Sequence, residues 1–245
     1  MGFEINDQVR SLNARLQHFM DEHIYPRERE WYEWCHDPEH LWEVPAWYDD
    51  IRDKAKAEGL WNLFLPEEYT PWSPGLTNVE IAPLFETMSK VMWAQSVFNC
   101  NAPDRGNMEV LAKYGTPEQQ EQWLKPLLAG EIRSAYAMTE PQVASSDATN
   151  MELELRRDGD EYVLNGRKWW TTGAVGPRCK IMLVMGKSNP ENDRHRQHST
   201  ILVPRDTLGV KLVRTLRAFD SLHSPGGEAE LLFEDVRVPV SNMIK

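Results

Sequence analysis

From Ser134 to Asp147 the chain reads Ser-Ala-Tyr-Ala-Met-Thr-Glu-Pro-Gln-Val-Ala-Ser-Ser-Asp. It begins as an apolar, strand-like run, and Pro141 breaks it into a loop of small residues that closes on two hydroxyls and a carboxylate. Small side chains let backbone amides approach a ligand closely, the chemistry needed to hold a flat polar ring or a phosphate. The same composition also serves an ordinary polar connection between a helix and a strand. A second group adds weight to the ligand reading. In Gly166-Arg167-Lys168-Trp169-Trp170-Thr171-Thr172-Gly173, read as a turn followed by a strand, Trp170 and Thr172 stand two apart and share a face. An indole that lies against a heteroaromatic ring, beside a hydroxyl that bonds its edge, would hold such a cofactor. The competing reading is a cross-strand aromatic pair.

The elements that must position these groups follow from periodicity. Ile5, Val9, Leu12, Leu16 and Phe19 recur at helical spacing and predict an amphipathic helix ending near Pro26. Trp31 to Trp47 lacks a clean period and reads as an extended connection, and Pro45 opens a second helix closing at Gly59. Thr77 with Glu80 forms a capping box for a helix reaching about Trp93. Thr116 with Gln119 repeats the device for a helix ending at Gly130. Beyond Ile132 the period becomes two. Met151, Leu153 and Leu155 alternate with Glu152, Glu154 and Arg156, and Asp158-Gly159 and Asn165-Gly166 read as tight hairpin turns. Further strands are expected at Lys180 to Met185, Thr200 to Val203, Val210 to Val213 and Ala229 to Val236, with the polar tract Lys187 to Ser199 as a surface loop. The class is α+β: an all-α helical domain over 1–133, then an antiparallel, β-barrel-like domain over 134–245.

Charge follows the same division. Before Ser134 there are 12 Lys and Arg against 23 Asp and Glu, and from Ser134 onward 15 against 15, so the net charge of −11 resides in the helical part. An acidic chain repels a phosphate backbone, which argues against nucleic-acid binding as the main role. Cys35, Cys100 and Cys179 are too scattered for a disulfide framework or a zinc site and fit a reducing compartment. His36 and His40 flank Pro38, which interrupts the helix that a paired metal site would need, so no metal is expected. His195 and His198 sit among Arg194 and Arg196 in the charged loop, where a solvated surface is the ordinary outcome. No stretch is long and apolar enough for a membrane span, and the acidic start suits neither a signal nor a transit peptide.

Taken together, Ala137-Met138-Thr139-Glu140-Pro141 through Ser146-Asp147, Gly115-Thr116-Pro117-Glu118-Gln119 and Phe233-Glu234-Asp235-Val236-Arg237-Val238-Pro239 resemble the acyl-CoA dehydrogenase family, over nearly the whole chain. The interval from Glu140 to Asp147 is one residue longer than usual there, and this longer loop is similar to that of the subgroup related to multidomain dehydrogenases with a kinase-like partner domain. The resemblance implies FAD as cofactor, an acyl-CoA thioester as substrate and an electron-transfer flavoprotein as acceptor. It implies that Tyr136, Ala137, Met138 and Thr139 line the flavin, that Trp170 covers one ring face, and that Thr171 and Thr172 complete the set with Thr172 near N5. Ser145 and Ser146 are candidates for the pyrophosphate and the acyl-CoA, Ser146 being favoured for substrate because it directly precedes Asp147. Glu140 is assigned a structural part. The family's base lies in a C-terminal helical bundle that also makes most oligomer contacts. This bundle is expected to be absent because the chain stops at Lys245, and a homo-oligomer is expected of a longer form. The compartment expected is the cytoplasm in a bacterium, the mitochondrion or peroxisome in a eukaryote. Two other functions stay open on the sequence: a non-catalytic protein that binds FAD, acyl-CoA or another subunit, and a related flavin oxidase or monooxygenase.

Overall fold

The computed structural model describes residues 5–244, and contacts divide the chain into two compact units, Met1–Glu109 and Val110–Lys245. The division falls ahead of the change from helix to strand at Arg133. One reason is that the Gln119 side chain, in the helical segment before the strands, donates to the carbonyls of Ser241 and Met243 at 2.7 and 3.2 Å and so belongs with the second unit.

In the first unit, α1 (Asp7–Phe19) starts at Asn6, whose side chain accepts from the Val9 amide, and buries Val9, Leu16 and Phe19. It packs on α4 (Asn78–Met88), where Thr87 donates to the Asn13 side chain at 2.8 Å. The capping box at the start of α4 forms as expected from Thr77 and Glu80. Pro26 does not end the helical region. It sits in a short 3-10 turn, Tyr25–Arg27, that leads into α2 (Glu28–His36), so the expected extended connection begins only at Asp37. The reason is that proline is tolerated in a helix's first turn, where its missing N–H would be unpaired anyway. Trp31 of α2 is then buried and stacks on Trp93 with ring centroids 4.8 Å apart, an aromatic contact that holds the turn-rich middle of this unit. Helix α3 (Trp47–Ala57) lies where Pro45 and Gly59 predict it, and a short α5 (Ala94–Val97) precedes α6 (Asp104–Tyr114), which runs across the division. Cys100 is fully buried, and desolvation pushes its thiol up to about 12.

The second unit continues through the Thr116 capping box into α7 (Pro117–Gln119), a π turn and α8 (Lys125–Ala129), which ends on Gly130 at φ 71. Seven strands follow: β1 (Arg133–Ala137), β2 (Glu154–Asp158), β3 (Glu161–Thr172), β4 (Cys179–Lys187), β5 (His198–Pro204), β6 (Val210–Leu216) and β7 (Glu228–Pro239). They form one curled sheet in the order β1-β4-β2-β3-β7-β6, with β5 on β4. Most pairings are antiparallel, as expected. The exceptions are β1, which runs parallel to β4, and a single parallel pairing of Glu154 on β2 with Lys187 on β4. The core face carries Leu153, Leu155, Leu164, Met182, Val184, Leu231 and Phe233, all buried. Among the described residues no helix is long and apolar enough to cross a membrane, and no cluster of His, Cys, Asp or Glu is placed to hold a metal ion.

One expected hairpin forms and one does not. Asp158 and Glu161 close β2 onto β3 around Gly159 at φ 63. Asn165-Gly166, by contrast, lies inside β3, opposite a bulge in β7 where Asp235 takes φ 49. The Asn165 side chain bridges the bulge, donating to the Asp235 carboxylate at 3.1 Å and accepting from the Asp235 amide at 2.9 Å. Gly166 answers a packing demand rather than a turn, since at φ 149 a Cβ would stand 2.9 Å from the Leu153 Cα. Replacing Gly166 by Ala is therefore expected to destabilise the second unit by about 3 kcal/mol, through strain and the clash with backbone. Gly159→Ala, where nothing lies within 4 Å, is expected to cost about 1 kcal/mol. Urea midpoints of the two variants give the comparison, and equal losses would remove the close-approach argument.

Candidate functional site

The loop from Met138 to Asn150 is held from beneath by one buried ion pair. Lys168, 0% exposed on β3, places Nζ 2.8 Å from Glu140 Oε1 and 2.7 Å from the Met138 carbonyl. Glu140 in turn accepts from the backbone amides of Glu152 at 2.7 Å and Leu153 at 2.9 Å. A buried carboxylate is tolerable only when such donors surround it. Burial pulls the Lys168 ammonium below its usual pKa, while the hydrogen bond and charge of Glu140 pull the other way. Glu140 is thereby committed on both oxygens, as its structural assignment requires.

Around this pair the candidate residues sort by what they offer. Tyr136 is half-buried on β1, its hydroxyl 3.8 Å from the Met185 sulfur, and Ala137 is buried beside it. Met138 and Thr139 are half-buried at the strand's end. The Thr139 carbonyl accepts from the Trp169 amide at 2.9 Å, but among the described residues its hydroxyl has no hydrogen-bond partner. Ser145 and Ser146 part company. Ser145 is buried and its Oγ accepts from the Glu140 amide at 2.8 Å, bracing the loop from within, whereas Ser146 is exposed. Asp147 caps the turn Ala148–Asn150, and the Thr149 hydroxyl at 2.6 Å, more than any other group, holds its carboxyl below the usual range. Its other oxygen takes Arg194 Nη2 at 2.7 Å, so the charged loop before β5 is tied to the small-residue loop.

On β3, Trp170 and Thr172 are both exposed and Thr171 between them is buried, the facing that alternation predicts. The route is less regular than alternation. A second register shift falls between Lys168 and Thr171, and Trp170 sits in it at φ 50, with Trp169 half-buried at its side. This bulge lets Lys168 and Thr171 both point into the interior while Trp170 turns outward. Thr171 can present only its backbone outward, and its buried hydroxyl has no partner among the described residues; nor has the buried Trp169 Nε1. The Thr172 hydroxyl donates to Glu228 Oε2 at 2.8 Å, and His223 Nδ1 lies 3.3 Å from the other oxygen of Glu228. Sequence reasoning missed Lys168, Glu228 and His223. Lys168 had only a faint signal, the second of two cations directly before a pair of tryptophans on a long strand, while Glu228 and His223 stand far from Thr172 in sequence. The exposed indole of Trp170 and the open hydroxyl on Thr139 are what the end of β3 and the adjoining loop offer to a flat heteroaromatic ring with polar margins.

Comparison with known proteins gives the same direction. Residues 6–131 match the family model described as acyl-CoA dehydrogenase, N-terminal domain, and residues 135–236 that of the acyl-CoA dehydrogenase, middle domain. The chain is 48% identical to acyl-CoA dehydrogenase family member 10 of Mus musculus over 98% of its own length and 23% of the relative's. It is 46% identical to a probable acyl-CoA dehydrogenase of Mycobacterium tuberculosis over 100% of its length and 59% of that protein's. A solved structure of a putative acyl-CoA dehydrogenase from Mycobacterium abscessus superposes with a TM-score of 0.93 at 45% identity, covering 98% of this chain and 61% of that one. The chain thus spans between about a quarter and three fifths of the length of these relatives.

The ion pair supplies the test of this site's foundation. Lys168→Met leaves a buried carboxylate with only its two amides and is expected to cost about 3 to 5 kcal/mol. The double variant Lys168→Met/Glu140→Gln is expected to cost less than the single Lys168 change, because the bare charge is gone. Chemical denaturation of the set decides it. Additive losses would mean that the two groups do not act as a pair.

Proposed function

Because the chain belongs to the acyl-CoA dehydrogenase family, we propose that its second unit holds the isoalloxazine ring of FAD against Trp170, with Thr172 at the ring's N5 edge and Thr139 at another margin. The observation that carries this reading is the pairing of an exposed Trp170 with an exposed Thr172 beside the open Thr139 hydroxyl, on a loop pinned by Lys168 and Glu140. FAD when bound supplies the hydride acceptor for α,β-dehydrogenation of an acyl-CoA thioester. The residues of this chain bind and orient. Backbone groups of Tyr136 to Thr139 line the ring, Trp170 excludes water from one face, and Ser146, the exposed serine, meets the acyl-CoA while Ser145 keeps the loop in shape. No base is assigned among residues 5–244: Glu140 already serves Lys168 and two amides. An acyl-CoA substrate, an electron-transfer flavoprotein as acceptor and a homo-oligomeric whole protein belong to the same proposal.

The first test is the visible spectrum of the purified chain with added FAD. A bound flavin is expected, and a protein that stays colourless in excess FAD would overturn the reading. Bleaching of that flavin by an acyl-CoA under anaerobic conditions would locate a base within the chain after all, whereas binding without bleaching leaves these residues with the holding role alone. Within the site, Trp170→Ala is expected to weaken FAD binding about tenfold, through loss of stacking area, and Trp169→Ala by less. Equal losses, measured by flavin fluorescence on folded protein, would contradict the bulged register that turns Trp170 outward.

A further inference from the structure

We infer that the first unit carries a small-molecule site of its own: a cleft on one face of α4, in which Arg105 receives the carboxylate of a small organic acid whose aliphatic chain lies along Ile81, Ala82 and Phe85. Its residues all belong to the first unit, so the inference does not depend on the proposed flavin site. The cleft has a volume of about 450 Å³, within the range of small-molecule pockets. Its floor is a stripe of α4 in which Ala82, Phe85 and Ser89 follow at spacings of three and four, with the buried Ile81 beside them. From Phe85 back to Ile81 the stripe runs about 6 Å along the helix axis, room for a short chain.

The polar end of the cleft is set by Arg105, an exposed residue in the first turn of α6. Its guanidinium lies over the Phe85 ring, 4.6 Å from the centroid. The ring attracts the cation but accepts no conventional hydrogen bond, so the donor fork stays open. Among the described residues no carboxylate stands within ion-pair distance of this guanidinium; Glu109, one turn along α6, meets its charge only at longer range. Ser89 adds a second donor to the same cleft. Its Oγ accepts from Gln95 Nε2 at 2.7 Å, so the hydroxyl proton remains to be given. A carboxylate matches this set, because its two oxygens meet a guanidinium fork in one plane and its single charge answers a single cation. A phosphate monoester carries about two negative charges at neutral pH. No second cation lines the cleft, and it lies in a half of the chain where acids outnumber bases.

The experiment titrates the unaltered chain with hexanoate, observed by ligand NMR, beside acetate, hexanamide and hexyl phosphate. Hexanoate is expected to bind about tenfold more tightly than hexanamide, which keeps the chain without the charge, and about tenfold more tightly than acetate, which keeps the charge without the chain. Arg105→Gln is expected to weaken hexanoate at least about tenfold and to leave hexanamide as it was. Ala82→Leu fills the floor and is expected to bring hexanoate to the level of acetate. Both changed side chains are exposed, and circular dichroism verifies that the two variants keep the fold. Hexanoate binding that survives Arg105→Gln overturns the inference, as does the absence of binding at millimolar concentration. Tighter binding of hexyl phosphate than of hexanoate also overturns it, since the site would then be built for a phosphate.

Discussion

A cation and an anion buried together beneath a loop constrain nearly everything the second unit presents. Lys168 and Glu140 come from elements 28 residues apart, and each is satisfied only if several backbone positions stay where they are. Lys168 needs the Met138 carbonyl, and Glu140 needs the amides of Glu152 and Leu153. The pair therefore fixes both ends of a loop made of small, weakly structured residues, which would otherwise sample many shapes. Two apolar residues of similar volume would pack well and add stability, but they would not specify one loop geometry. The neutral contacts extend the same logic, with Ser145 closing the loop on the Glu140 amide and the Trp169 amide joining it to β3 through the Thr139 carbonyl.

The bulge in β3 follows from that constraint. Lys168 must point inward to reach Glu140, and strict alternation would then send Trp170 and Thr172 inward as well. One extra residue between Lys168 and Thr171 resolves the conflict by reversing the facing beyond it. The ion pair and the exposed Trp170 with Thr172 thus occupy one strand through a local irregularity. A second bulge, on β7 opposite Asn165, corrects the register of the same long strand pair in its other half.

These irregularities also mark where the sequence could be read and where it could not. The capping boxes at Thr77 and Thr116, the C-cap at Gly130 and the strands from Cys179 onward were legible because each rests on local chemistry. The shared facing of Trp170 and Thr172 was legible because only the buried Thr171 separates them, so local alternation holds across these three residues even though Trp170 sits in the bulge. Asn165-Gly166 carried a strong turn signal, yet its glycine answers Leu153 and its asparagine answers Asp235, neighbours that only the folded sheet supplies. Pro26 looked like a stop because the sequence does not say whether a proline falls in a helix's interior or in a first turn. Helix α6 went unassigned, its apolar residues at Met108 and Leu111 being too few to set a period. Glu228 and His223 were invisible for a different reason, since the partner that gives Glu228 its meaning is 56 residues away.

Trp170 shows why the site is not explained by the fold alone. A left-handed backbone costs a residue with a bulky side chain about 1 to 3 kcal/mol, and φ at Trp170 is 50. The indole recovers little of that by burial, being 40% exposed in a sheet whose other large side chains are mostly covered. Beside it, the Trp169 Nε1 and the Thr171 hydroxyl are buried without partners among the described residues. Strain, exposed aromatic surface and unmet hydrogen bonds each oppose folding, and here they gather within three consecutive residues. A sequence shaped only by stability would have removed any one of them with a single substitution. Their coincidence, on the strand anchored by Lys168, marks a stretch that stability alone does not account for: a ring laid there, as proposed, would cover the indole, and the rigid pair beneath keeps that face in place.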